Sequence, residues 1–198
     1  LGVCIMLGSV AKVVWGSSYR YTGPPRPTYL FEVDAVPNDF VTSMTVIVDG
    51  GDFEVDWGTG SFTTYPSGTA SSVASGNITI RSINTITQVR FQVNNWGSID
   101  VKTSSTLTSA ASMCSSLIFL GSFSINDTSN CTSFDSAWSN CQGLTTFPTI
   151  DTSAGTSFQF TWSGCSGLSI FPLLDFSGGF NFRQAWTGCT GLTTFPLI

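Results

Sequence analysis

The chain has 198 residues, of which 10% are charged, with a net charge of −5 and no histidine. No basic cluster is present to neutralise phosphates, which argues against nucleic acid as a partner. The missing imidazole removes the usual general base, the usual metal ligand and any Ser-His or Cys-His nucleophile pair.

Abundant Ser, Thr, Gly and Asn beside so few charges suit β-rich surface, fibre or virion proteins. The length is enough to bury one large core or two small ones. Taken in chain order, the pattern is mainly β. It predicts an apolar β arm with a Pro-rich linker (1–30), a small antiparallel β-sandwich of Ig type (31–102) and a repeat solenoid with 24-residue turns (103–198).

The opening LGVCIMLGSVAKVVWG is apolar, but Gly8, Ser9 and Lys12 interrupt it and it lacks a basic start. It reads as strand rather than signal peptide, and no run reaches the length of a membrane span. Because the sequence opens on Leu1, a processed or incompletely recorded product is expected. Pro24, Pro25 and Pro27 make an extended spacer. Two short strands alone are marginal in water, so residues 1–23 are expected to pair with another chain, in a homo-oligomer. The stretch MLGSVAKVVWGSS is similar to small β repeats at the ends of tailed-phage structural proteins. That resemblance implies a virion setting in which the arm tethers a distal module to other virion subunits.

In MTVIVDGGDFEVDWGTGSFTTY, Phe53, Val55 and Trp57 alternate with Asp52, Glu54 and Asp56, as a half-buried strand requires. Gly50-Gly51 predicts a tight turn between two strands, and further strands are expected at 76–83 and 88–93. The row Asp52, Glu54 and Asp56 is a weak calcium candidate and a weaker acid–base pair. A solvated strand face is the plainer reading.

The stretch VDWGTGS at 55–61 resembles the WGDGS strand-turn of polycystic-kidney-disease-like β-sandwich domains, with Thr59 where that family has aspartate. NNWGSIDVKTSS at 94–105 is similar to the Trp-Gly junction that introduces BspA-like leucine-rich repeats in bacterial and phage surface proteins. The resemblance spans roughly residues 40–198 and implies adhesion to host or matrix components.

The periodicity is plain without that resemblance. Trp138, Trp162 and Trp186 recur at a step of 24, as do Cys141, Cys165 and Cys189; Leu144, Leu168 and Leu192; Phe147, Phe171 and Phe195; and Asp127, Asp151 and Asp175. Such a period marks stacked turns with a leucine-centred strand. Four right-handed turns lined by Leu117, Leu144, Leu168 and Leu192 are expected. Cys114 stands 27 residues before Cys141, which predicts a three-residue insertion in the first turn. Pro148, Pro172 and Pro196 are expected to end the strands.

Parallel ladder neighbours suit neither a disulfide, whose Cβ atoms must turn towards each other, nor zinc, whose ligands converge on a point. The cysteines are therefore assigned to packing, and no cofactor is expected. The tryptophans are read as a buried ladder beneath Phe134, Phe158 and Phe182, against an exposed stripe for sugar. The aspartates are read as Asx-turn caps, against a row of calcium ligands.

The resulting expectation is a non-enzymatic virion structural or adhesive protein on the particle exterior, either a tail fibre or a capsid or tail decoration. Its solenoid would meet a host surface protein or glycan. A bacterial cell-surface adhesin of BspA-like build is the alternative. The turn ending at GLTTFPLI has no polar cap, so it is expected to continue into further turns or to be covered by another subunit.

Overall fold

The computed structural model describes residues 28–39 and 43–196. The calls on the N-terminal arm, its prolines and the last two residues lie outside them. The described residues are mainly β and contain no helix. In particular, no helix is long and apolar enough to cross a membrane.

Eight strands precede the repeats, β1 (Phe31–Pro37), β2 (Ser43–Asp49), β3 (Phe53–Asp56), β4 (Thr63–Tyr65), β5 (Gly68–Val73), β6 (Ile78–Ser82), β7 (Gln88–Gln92) and β8 (Trp96–Thr103). A ninth, β9 (Ser122–Ile125), lies within them. They form two sheets, ordered β4-β3-β6-β1-β8-β9 and β5-β2-β7. The alternation that predicts these strands also decides what they bury. Phe31, Val33 and Ala35 of β1, Phe53 and Val55 of β3 and Ile78 and Ile80 of β6 point inwards, with Met44, Val46 and Val48 of β2 in the other sheet. Their buried faces belong to one continuous apolar core.

Gly50-Gly51 does not close a hairpin, because β2 and β3 lie in different sheets. The two glycines carry the chain from one sheet to the other beneath the loop before β7. Gly50 has φ 128°, and a Cβ there would stand 2.3 Å from the Thr85 carbonyl oxygen. Close backbone approach, rather than turn chemistry, requires glycine at this point.

The seam between the two-sheet part and the repeats is β8. One edge pairs antiparallel with β1, Val33 opposite Val101 and Ala35 opposite Ile99. The other pairs parallel with β9, Ile99 opposite Phe123 and Val101 opposite Ile125. Each β8–β9 pair is 24 residues apart, so the repeat register begins inside the sheet. Trp96 opens β8 fully buried, its ring edge-on to Phe91 at 5.2 Å, and its Nε1 donates to the Gln92 carbonyl at 2.8 Å.

Beyond β9 the step persists without extended strands. Parallel bridges join Ser109 to Ser133, Ser133 to Ser157, Ser157 to Asn181, and Thr146 to Ile170. The expected leucine-centred strands are not formed among the described residues, and the Phe-Pro pairs end no strand, since Leu144, Leu168 and the Phe-Pro pairs after them lie in irregular backbone. One cause is local. Ser112, Ser116, Ser136, Asn140, Phe160 and Gln184, with Gly164 and Gly188, all have positive φ. A residue in that region interrupts the extended backbone a strand needs. Successive turns are instead joined by single bonds from alternate amides. Phe134, Ser136, Trp138 and Asn140 donate to the carbonyls of Ser157, Gln159, Thr161 and Ser163.

The same comb corrects the register of the first turn. Ala110, Ser112, Cys114 and Ser116 donate to Ser133, Asp135, Ala137 and Ser139, which places Cys114 in the column of Trp138. No three residues are inserted. Leu117 lies in the cysteine column, and Leu120 leads the column of Leu144 and Leu168. All four of these leucines are buried.

Candidate interaction surface: the stacked turns

Three aromatic ladders fill the stack. Phe134, Phe158 and Phe182 stack face to face at 5.2 and 5.1 Å with interplanar angles of 3°. The indoles of Trp138, Trp162 and Trp186 stack at 6.1 and 5.3 Å, and Phe147, Phe171 and Phe195 at 5.9 and 5.3 Å. Each indole also meets the following Phe edge-on, at 4.7 Å for Trp138–Phe147 and 4.9 Å for Trp162–Phe171. Gly155 and Gly179 leave room for the first ladder, because a Cβ at either would stand 2.4 Å from a ring carbon of Phe158 or Phe182. Trp138 and Trp162 have no exposed surface. They cannot form a sugar-binding stripe. Their Nε1 atoms are buried without a hydrogen-bond partner among the described residues, as is that of Trp186. Packing, not polar contact, holds these rings.

The cysteines of the described residues are free thiols. Each repeat thiol donates to the main chain of the turn before it. Cys141 Sγ reaches the Cys114 carbonyl at 2.9 Å, Cys165 Sγ the Trp138 carbonyl at 3.0 Å, and Cys189 Sγ the Trp162 carbonyl at 3.0 Å. Packing alone misses this bond between turns. The constant 24-residue spacing is its only sequence signal.

Burial disfavours the thiolates and pushes Cys131 and Cys165 up to about 12, with Cys114 and Cys141 also raised strongly. Cys189, only half-buried, is raised less. In a Cys4→Ser variant at pH 8, a thiol reagent such as DTNB should label Cys189 first and leave the other four to react only on unfolding. Rapid native-state labelling of all five would contradict this placement.

The aspartate row runs along the exposed rim. Asp127 Oδ1 accepts from the Ser129 amide and hydroxyl at 2.9 and 2.7 Å, and Asp151 Oδ1 from those of Ser153 at 2.9 and 2.6 Å. Asp175 Oδ1 accepts from the Ser177 amide at 2.9 Å. Each is an Asx cap within its own turn. The bonds between turns at this rim come from a neighbouring column, in which Thr128 Oγ1 donates to the Asp151 carbonyl and Thr152 Oγ1 to the Asp175 carbonyl. Ser104 opens that column by donating to the Asp127 carbonyl at 2.6 Å. The repeated Asp-Thr-Ser triplet shows both devices in sequence, although its threonine is easily passed over.

Bonds from Ser153 and Ser177 hold the carboxyls of Asp151 and Asp175 below the usual carboxylate range. A carboxyl lowered in the folded state contributes stability that is complete above its unfolded value, near 3.9, and is lost as pH falls through the folded value. A thiol raised in the folded state contributes stability that is complete below its unfolded value and is lost as pH rises. The urea midpoint should therefore be flat through neutrality, fall below about pH 4 and fall again above about pH 9. A midpoint that is constant from pH 7 to pH 10.5 would contradict the buried thiols.

Two carboxylates of the acidic row Asp52, Glu54 and Asp56 are engaged separately. Glu54 pairs with Arg81 at 2.8 Å. Asp56 Oδ1 caps the amides of Gly58, Thr59 and Gly60 at 2.8–3.1 Å, closing the turn in VDWGTGS. The Asp52 carbonyl accepts from Ser82 Oγ at 2.6 Å. No group of three His, Cys, Asp or Glu side chains among the described residues could hold a metal ion. A cavity of about 340 Å³ beside β3 is lined by Tyr29, Asp52, Glu54, Arg81 and Asn84, but the guanidinium that would serve a ligand is already paired. It also lies against the Phe62 ring, 3.3 Å from its centre.

The larger concavity lies at the far end of the stack. It measures about 930 Å³ and is lined by Leu173, Leu174, Phe176, Phe182 and Trp186, with Asp175 and Ser177 at its edge. No family model matches the chain, and no curated protein or solved structure matches it.

Proposed function

We propose that this chain is a non-enzymatic structural or adhesive protein on the exterior of a tailed-phage virion, a tail fibre or a decoration of capsid or tail. On this reading residues 31–102 are an Ig-like sandwich, and residues 103–198 are a leucine-rich-repeat solenoid of the BspA-like kind. The solenoid is displayed for contact with a host surface protein or glycan, and residues 1–23 fasten the chain to other virion subunits.

The observation that carries this reading is the continuous stack itself. It is welded to the sheet through β8, held by aromatic ladders and edged with hydroxyl and Asx-capped rims. Rigid projection of a long polar face is what such an arrangement serves, and the rim carboxylates of Asp127, Asp151 and Asp175 cap their own turns. The resemblance of MLGSVAKVVWGSS to phage structural repeats supplies the setting.

Gold-labelled antibody against the stacked turns, applied to purified particles under the electron microscope, tests the reading. Label at fixed positions on the particle exterior is the expected result. Particles without label, with the antigen instead on the surface of uninfected bacteria, would replace the virion by the cell-surface adhesin.

A further inference from the structure

The ion pair between Arg81 and Glu54 engages the guanidinium through Nε alone, at 2.8 Å. Residue order explains its place. Thr64, Glu54 and Arg81 are cross-strand partners on β4, β3 and β6, so they form one row on the side of the sheet turned away from the core. The ring centre of Phe62 lies 3.3 Å from the guanidinium carbon, and that of Tyr29 4.8 Å from it. A carboxylate and two rings therefore fix the orientation of Arg81 before any ligand arrives. Its Nη1 and Nη2 have no hydrogen-bond partner among the described residues.

The residues around it are tied down as well. Ser82 Oγ and Asn84 Nδ2 both donate to the Asp52 carbonyl, at 2.6 and 3.0 Å, and the Asn84 amide donates to Ser82 Oγ at 3.0 Å. These bonds leave the Asp52 carboxylate, Asn84 Oδ1 and the Thr64 hydroxyl without partners among the described residues. Tyr29 and the exposed Ile83 add apolar surface to the same lining. The cavity of about 340 Å³ thus combines fixed donors, fixed acceptors and an apolar wall, the composition of a small-ligand site. Its charge selects the ligand. One guanidinium stands among two carboxylates in a chain of net charge −5, so an anion is not favoured there, and a cation would meet the guanidinium. A neutral polyol satisfies both signs, because each hydroxyl donates and accepts.

We propose that this cavity binds one neutral hexose unit of a glycan. The sugar hydroxyls accept from the Nη atoms of Arg81 and donate to the Asp52 carboxylate and Asn84 Oδ1, while its C–H groups lie against Ile83 and Tyr29. The site belongs to the two-sheet part and not to the stacked turns. It holds whether a particle or a cell displays the chain.

The probes are the methyl glycosides of glucose, galactose, mannose and N-acetylglucosamine, with glucuronate as the anionic comparison. Each is titrated into the full chain, isotope-labelled for nuclear magnetic resonance, and the amide signals of Asp52, Glu54 and Arg81–Asn84 are followed. At least one neutral glycoside should shift these signals saturably, with a dissociation constant of about 1 mM. Arg81→Lys keeps a cation beside Glu54 but removes both Nη groups, and Asp52→Ala removes a carboxylate that has no partner among the described residues. Each should weaken binding by about tenfold or more, the cost of one hydrogen bond to a charged group, with the urea midpoint unchanged. If Arg81→Lys lowers the midpoint, Asp52→Ala alone decides. No shift with any of the four glycosides at about fifty times that concentration would overturn the proposal. So would shifts that persist undiminished in Asp52→Ala, or tighter binding of glucuronate than of the neutral glycosides, which would mark an anion site.

Discussion

Trp162→Ala is expected to cost about 3–5 kcal/mol, the range for deleting a buried large aromatic side chain. Trp162 lies between Trp138 and Trp186 and also meets Phe147, Phe158, Phe171 and Phe176. Its removal opens a cavity where all three aromatic ladders converge. The unpaired indole Nε1 works in the other direction, because losing a buried donor without a partner relieves its desolvation cost. The ring contacts outweigh it. The same change at Trp186, which is only partly buried, should cost clearly less. Urea unfolding monitored by near-ultraviolet circular dichroism reads both. Equal losses at the two positions would mean that the indoles do not form one graded ladder.

Val101→Asp should be at least as damaging, with a loss of about 4 kcal/mol or more, because it buries a carboxylate with no partner. Val101 has no exposed surface and stands in β8 between Val33 of β1 and Ile125 of β9. The damage should therefore reach both parts of the chain and lower the stability of the sheets and the turns together. Its sequence neighbour gives the contrast. Asp100 points to the opposite face, where it accepts from Ser124 Oγ at 2.5 Å, and Asp100→Ala should cost no more than about 1 kcal/mol. Unfolding of the turns in Val101→Asp with the two sheets unchanged would contradict the role given to β8.

Much of the two-sheet part can be read from residue order. Alternation at Phe53, Val55 and Trp57 and in the segments 76–83 and 88–93 marks strands that the structure contains. Alternation does not say which sheet a strand joins, so Gly50-Gly51 reads as a hairpin although it links two sheets. The repeat is conspicuous, but its first turn misleads. Cys114 and Leu117 have the spacing of Cys141 and Leu144 and invite that alignment. The main-chain bonds place them three residues earlier in the turn, where cysteine stands in the column of tryptophan. Residue type is a weaker guide than backbone register when a terminal turn packs against different neighbours.

The positive φ values at Ser136, Asn140, Phe160 and Gln184 also leave no trace in composition. Only asparagine among these residues is at all disposed to that region, and the conformation follows from the way the turns stack. The seam at β8 is hidden for a related reason. Nothing in WGSIDVKT distinguishes a strand with one partner from a strand with two. Its place is set by the 24-residue step to Ser122–Ile125, which becomes visible once the register has been fixed elsewhere.

The central claim is that a single 24-residue register runs unbroken from β8 through the last turn. Ring-to-ring nuclear Overhauser contacts in a sample labelled at phenylalanine and tryptophan test it most directly. Trp138 should show contacts to both Phe123 and Phe147, whose ring centres lie 5.2 and 4.7 Å away, and Trp162 should show the same pair one turn on, to Phe147 and Phe171. If Trp138 contacts Phe147 but not Phe123, the first turn is out of step with the others and the unbroken register is wrong.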